Sequence, residues 1–160
     1  MLYKNRNRTA RMPFWQSFST HTIFIICALS GVLYLLAQEF QIMPLPLKKY
    51  NLLITHGISS YIFALLFGAV IPTHIKAGWK KKRNKTTGSL MVITMSLLLI
   101  SGLFLYYGAD TREAALWVHW VIGCGLVLLF PIHFIRGRRA NYLAMKQKKA
   151  LKRSNNTIED

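Results

Sequence analysis

Residues 50–75 read YNLLITHGISSYIFALLFGAVIPTHI and residues 114–135 read AALWVHWVIGCGLVLLFPIHFI. Each stretch is apolar and long enough to cross a hydrocarbon core of about 30 Å, which takes roughly 20 helical residues. Each also carries two histidines. His56 and His74 are 18 residues apart, which at about 100° per residue is five full turns and at about 1.5 Å per residue is roughly 27 Å. His119 and His133 are 14 residues apart, about 40° short of four turns and roughly 21 Å in depth. On each stretch, therefore, two imidazoles share one helix face, one near either end of the span.

Outward from these two stretches the same composition recurs twice more. Four spans are predicted, at about Phe14 to Ala37, Tyr50 to Ile75, Ser89 to Tyr107 and Ala114 to Ile135. The intervening loops are short, so consecutive helices should be antiparallel neighbours in an all-α, integral membrane four-helix up-down-up-down bundle. Over the 160 residues the hydrophobic share is 52% and the charged share only 16%, with a mean hydropathy of +0.28, too apolar for an ordinary soluble domain. The expected organisation is a basic N-terminus over 1–13, one membrane domain over 14–136 and a basic tail over 137–160.

A net charge of +16 fits either a nucleic-acid binder or a membrane protein that keeps its cations in loops. The distribution decides: eighteen Lys and Arg fall before the first span, between the second and third and after the fourth, against three in the other two loops. No nucleic-acid partner is expected. Cytoplasmic loops retain positive charge, so both termini should face the cytoplasm, as expected of a multi-pass protein of a bacterial inner membrane. The first span follows Lys4, Arg6, Arg8 and Arg11 as a signal peptide would, but it exceeds the usual apolar core and is expected to be retained. The tail from Arg136 to Arg153 is expected either along anionic lipid head groups or free in solvent.

All five histidines (His21, His56, His74, His119 and His133) lie within or at the ends of apolar spans. Ionisable residues there are costly, which makes them functional candidates. The second and fourth spans run in the same direction, so their histidine faces can meet across the bundle as two stacked bis-imidazole sites. No Asp or Glu lies inside any span, unlike a transport site for a metal ion, whereas two imidazoles complete the axial positions of a six-coordinate haem iron. Without a C-x-x-C-H run such haems would be b-type, held non-covalently. Cys27 and Cys124, each inside an apolar run, read as small core residues.

An internal repeat strengthens the pairing. Ser30-Gly31 on the first span matches Ser101-Gly102 on the third; Pro72-Thr73-His74 with Gly78 matches Pro131-Ile132-His133 with Gly137; His56 corresponds to His119. The repeat pairs His56 with His119 and His74 with His133. The longer spacing on the second span offsets the inner pair by about 6 Å if both helices are straight, a mismatch that tilt or a kink at Pro72 could absorb. His21 is the alternative inner ligand. Around the sites, Gly31, Gly57, Gly102 and Gly123 are candidates for close approach of a flat macrocycle, with Gly68 and Gly125 nearby. Arg136, Arg138 and Lys76 at one end and Arg112 at the other are candidate propionate partners. Each has a plainer role as well, the glycines in helix packing and the cations in setting topology. Trp15, Trp79, Trp117 and Trp120 flank the span ends as an interfacial belt.

The arrangement Thr55-His56-Gly57, Pro72-Thr73-His74 with Gly78-Trp79, Ser101-Gly102 with Tyr106-Tyr107, and His119 with Pro131-Ile132-His133 resembles small bacterial di-haem membrane cytochrome b proteins over about residues 14–140. It is also similar to the cytochrome b subunits that anchor formate dehydrogenases and nickel-iron hydrogenases, whose last haem-binding helix carries two histidines 14 apart, as His119 and His133 are. The resemblance implies two b-type haems and electron exchange between a quinone or quinol pool and a redox partner subunit, such as a multihaem cytochrome or a flavoprotein. In the anchoring subunits the remaining ligand comes from the first helix, a role His21 would fill. The competing readings are a haem-free scaffold or small metal transporter, and a self-contained quinone-linked oxidoreductase.

Overall fold

The computed structural model describes residues 12–42, 48–80 and 84–159, with backbone alone at 148–149 and 151–159. Most of the basic N-terminus and of the loop between the first two spans lies outside the described residues. Helix α1 covers Phe14–Glu39 and α2 covers Lys49–Val70; a π-helical turn, Ile71–Ile75, then leads into the short α3, Lys76–Lys80. Helix α4 covers Lys85–Tyr107 and α5 covers Arg112–Glu159. Among the described residues there is no strand. Four helical rods, Phe14–Glu39, Lys49–Lys80, Lys85–Tyr107 and the part of α5 up to Gln147, are long and apolar enough to cross a membrane.

Hydroxyl side chains inside these rods are turned back on their own backbone. Thr20 donates to Gln16 O at 2.7 Å, Ser30 to Ile26 O at 2.7 Å, Ser59 to Thr55 O at 2.6 Å and Thr94 to Leu90 O at 2.9 Å. Within an apolar phase that offers no water, such bonds keep each hydroxyl satisfied. The breaks occur where the sequence supplies breakers. After α1 the chain turns at Gln41 with φ 54°, α4 is preceded by Asn84 with φ 48°, and α4 ends at Gly108.

The helices form two antiparallel hairpins, α1 with α2 and α4 with α5. Gln16 near the start of α1 reaches Ala69 near the end of α2, and Thr87 near the start of α4 reaches His133 far along α5. The hairpins meet mainly through α1 and α5, around a core of Phe24, Met95 and Leu126 backed by Phe63, Phe67, Leu98 and Phe130. By contrast α2 and α5, which run in the same direction, approach little at the backbone. Large apolar side chains such as Phe18, Ile25, Leu29, Ile58, Leu65, Ile93, Ile100, Leu128 and Ile135 stay exposed on the outer faces, surface that suits lipid. The chain is a multi-pass helical membrane protein.

Two features depart from the expected spans. The second is not a straight α-helix at its end: at the π turn the Lys76 N–H reaches back five residues to Ile71 O, as expected near Pro72, which has no N–H to give. Gln16, buried on α1, donates from Nε2 to Ala69 O at 3.0 Å, and the Thr73 hydroxyl lies 3.3 Å from both Gln16 Oε1 and Ala69 O. The fourth helix runs on from Ile135 to Glu159. Only Gly137 interrupts it chemically, and the Lys, Arg, Ala, Leu, Met and Gln that follow are strong helix formers.

Candidate functional site

Two histidine pairs bridge the gap between the hairpins. The His56 and His119 rings have centroids 6.1 Å apart and planes at 87°; the His74 and His133 rings have centroids 6.3 Å apart and planes at 85°. The pairs lie at two levels, because the rod of α2 and its π turn runs parallel to α5, with His56 on α2, His74 on the π turn and His119 and His133 on α5. The depth mismatch expected of straight helices does not separate His74 from His133. A π turn at Ile71–Ile75, which contains Pro72, lies within the second span and bears His74.

Hydrogen bonding sets which ring nitrogen is free. His56 Nδ1 lies 2.9 Å from Cys27 O on α1; a carbonyl can only accept, so Nδ1 carries the proton and donates. His119 Nδ1 lies 2.9 Å from Ser101 Oγ, and that hydroxyl donates its own proton to Leu98 O at 3.1 Å. Ser101 therefore accepts from His119 Nδ1–H. At the other level Thr87 Oγ1 donates to Asn84 Oδ1 at 2.6 Å and lies 3.2 Å from His133 Nδ1, with Asn84 Nδ2 3.5 Å from the same nitrogen. Asn84 Nδ2 also donates to His133 O at 3.4 Å. Two of the four rings, His56 and His119, thus have Nδ1 protonated and tied to an acceptor, leaving the Nε2 lone pair for something else, and His133 Nδ1 is engaged by Thr87 and Asn84. This is the second-shell arrangement that orients metal-bound imidazoles.

The spacing permits a shared metal. Two imidazoles bound on opposite faces of one ion, with metal–nitrogen bonds of about 2.0 Å, have ring centroids about 6 Å apart. Among the described residues no group of three or more His, Cys, Asp or Glu comes together, so each pair offers two donors. A bare ion would be left short of ligands, whereas a four-nitrogen macrocycle supplies the other four. The donor set and its spacing fit two haems.

Glycine supports the rings unevenly. A Cβ on Gly31 would stand 2.8 Å from His56 Cε1 and 2.9 Å from Nδ1, whereas one on Gly102 would meet His119 Cε1, and one on Gly88 would meet His133 Cε1, at an ordinary 3.8 Å. Gly123 faces Leu98 at 3.8 Å, a helix-packing contact, and Gly57, Gly68 and Gly125 border open space. His21 takes no part in the pairs. Its Nδ1–H donates to Ser17 O, and its ring lies edge-on to Phe130 and Phe134, with centroids 5.3 and 5.1 Å away.

The candidate cations lie at the bundle ends. Arg138 stacks its guanidinium over Phe134 at 5.4 Å, while Arg136 and Lys76 are exposed. Arg112 lines a shallow cleft of about 380 Å³ with Tyr106, Tyr107 and Gly108 at the α4–α5 turn. Cys27 Sγ sits 3.6 Å from His56 Nδ1, and Cys124 is exposed. Trp117 and Trp120 contact each other edge to face, and Trp15 and Trp79 are exposed.

Sequence reasoning missed Thr87, Asn84, Gln16 and the Cys27 carbonyl. A signal for the first was present: Thr87-Gly88 and Ser101-Gly102 are 14 residues apart on α4, the same interval that separates His133 from His119 on its antiparallel neighbour. Hydroxyl-glycine pairs and histidines therefore come level at both depths. Compared with protein-family models, curated proteins and solved structures, the chain matches none, which leaves this geometry as the ground for its chemistry.

Proposed function

We propose that the chain is a di-haem b-type membrane cytochrome that passes electrons across the bilayer, exchanging them between a quinone pool and a redox partner protein. The observation that carries the reading is the pair of facing imidazole sets at two levels, each at the spacing of a shared six-coordinate metal, with Nδ1 engaged on His56, His119 and His133. A haem held at each level supplies one-electron chemistry with both axial positions filled, which keeps other ligands off the iron.

The protein's part is binding and tuning. Cys27 O and Ser101 orient the His56 and His119 rings and raise imidazole basicity by accepting Nδ1–H, and Thr87 with Asn84 orients His133. The apolar helices exclude water from both levels. His74 is the second ligand at the level of His133, since His21 is engaged by Ser17 and the two phenylalanines. With the charge rule applied, both termini lie in the cytoplasm and His74 and His133 mark the cytoplasmic level.

The detergent-purified protein should show b-type absorption bands on reduction and two haems per chain by pyridine haemochrome assay. His56→Ala or His119→Ala should each remove one haem, His74→Ala or His133→Ala the other, and His21→Ala neither. A colourless, folded preparation, or variants that all keep two haems, would overturn the reading.

A further inference from the structure

Helix α5 does not stop where its apolar run stops. It continues through Arg136 to Glu159, and from Arg136 to Arg153 the sequence carries eight Lys or Arg and no Asp or Glu. Arg136, Arg138 and Arg139 follow the apolar run closely enough to anchor the end of a span. The other five, Lys146, Lys148, Lys149, Lys152 and Arg153, lie further out, at about 15–25 Å along the axis beyond Arg136 at about 1.5 Å per residue.

A helix continuous with a membrane-crossing segment leaves the bilayer in that segment's direction, at a tilt of about 20° on average, and so does not lie in the plane of the head groups. At physiological ionic strength the field of the head groups fades over about 8 Å, well short of the roughly 15 Å or more of helix axis that separates Arg136 from this stretch of backbone. They also oppose one another: Lys148 with Lys152 and Lys149 with Arg153 are like-charged pairs four residues apart, a spacing that weakens a helix in water. A single-stranded nucleic acid is disfavoured, because the extension beyond Arg136 carries Tyr142 as its single aromatic residue, where strand binders interleave several. The base of the arm lies three residues past His133, and the basic segment between Lys76 and Lys85 emerges at the same end.

We propose that the α5 extension is a docking arm for an acidic soluble protein, guided by complementary charge to the end of the bundle where His74 and His133 face each other. Under the redox reading above, that protein is an electron carrier. Such steering raises association rates by about 10–1000-fold at low ionic strength.

The test uses the full chain in nanodiscs of purely zwitterionic lipid, with fluorescently labelled flavodoxin, an acidic flavin protein, as probe. Wild type should bind it at about 20 mM salt, and either about 200 mM salt or replacing Lys146, Lys148, Lys149, Lys152 and Arg153 by Gln should weaken binding tenfold or more. Equal binding by wild type and variant would overturn the proposal. So would a spin label at Ala150 reporting head-group depth in anionic nanodiscs, or tighter binding of a single-stranded oligonucleotide than of flavodoxin at equal salt. Binding is read without electron transfer: if it is lost with charge yet reduced flavodoxin produces no haem spectrum, the arm stands and the redox reading falls.

Discussion

Gly31 and Gly102 occupy matching places in the repeat, yet the rings above them sit at different heights. The His56 imidazole reaches over α1 to the Cys27 carbonyl and fills the space a Gly31 Cβ would need, whereas His119 meets a side-chain hydroxyl and keeps clear of Gly102. Gly31→Ala should therefore overpack the site, costing about 1–3 kcal/mol against about 1 kcal/mol of helix propensity gained, and should displace His56. Gly102→Ala meets only ordinary contact and should be neutral or mildly stabilising. Thermal unfolding in detergent, with haem content of each variant, checks the contrast. Sequence showed that both glycines recur, since a repeat is visible in letters. It could not show which is indispensable, because that depends on whether the neighbouring ring finds a main-chain or a side-chain acceptor.

At the scale of the element, the four spans were legible because an apolar run of sufficient length has few alternatives. The ring pairing follows from span direction and the repeat. A break at Pro72 was legible too; what lay beyond reach was its form, since a π turn depends on a partner for the carbonyl it disturbs, and here the partner is Gln16 on another helix. Gln16→Leu should leave Ala69 O without that donor in an apolar setting, a loss of about 1–3 kcal/mol, and should shift His74 relative to His133 while sparing His56 and His119. A fall in melting temperature is the expected readout, accompanied, under the proposed function, by selective loss of one haem. The continuation of α5 past Ile135 was equally hard to foresee: its residues favour helix, but a cationic tail after a span can also lie flat or fray.

The whole molecule is two similar hairpins joined along one seam. Phe24 and Phe130 stack there with centroids 3.9 Å apart and planes at 13°, between the hairpin of α1 and that of α5. Phe130→Ala should remove that stack at about 3–5 kcal/mol and, because both histidine pairs span the same gap, should weaken both levels together. That sets it apart from the single-level effects of the Gly31 and Gln16 variants. A lower melting temperature is the expected result, and under the proposed function both haems are lost together on mild heating, followed by absorbance.

The uneven seam also bears on biogenesis. Each hairpin contains its own turn and its own antiparallel contacts, so each can enter the bilayer as a unit, and the two close like the covers of a book whose spine is α1 with α5. Away from that spine, α2 and α5 approach little at the backbone and leave an edge where the histidine pairs stand. Under the proposed function, a flat prosthetic group would be taken up through that edge after insertion and before closure, and would then serve as the clasp.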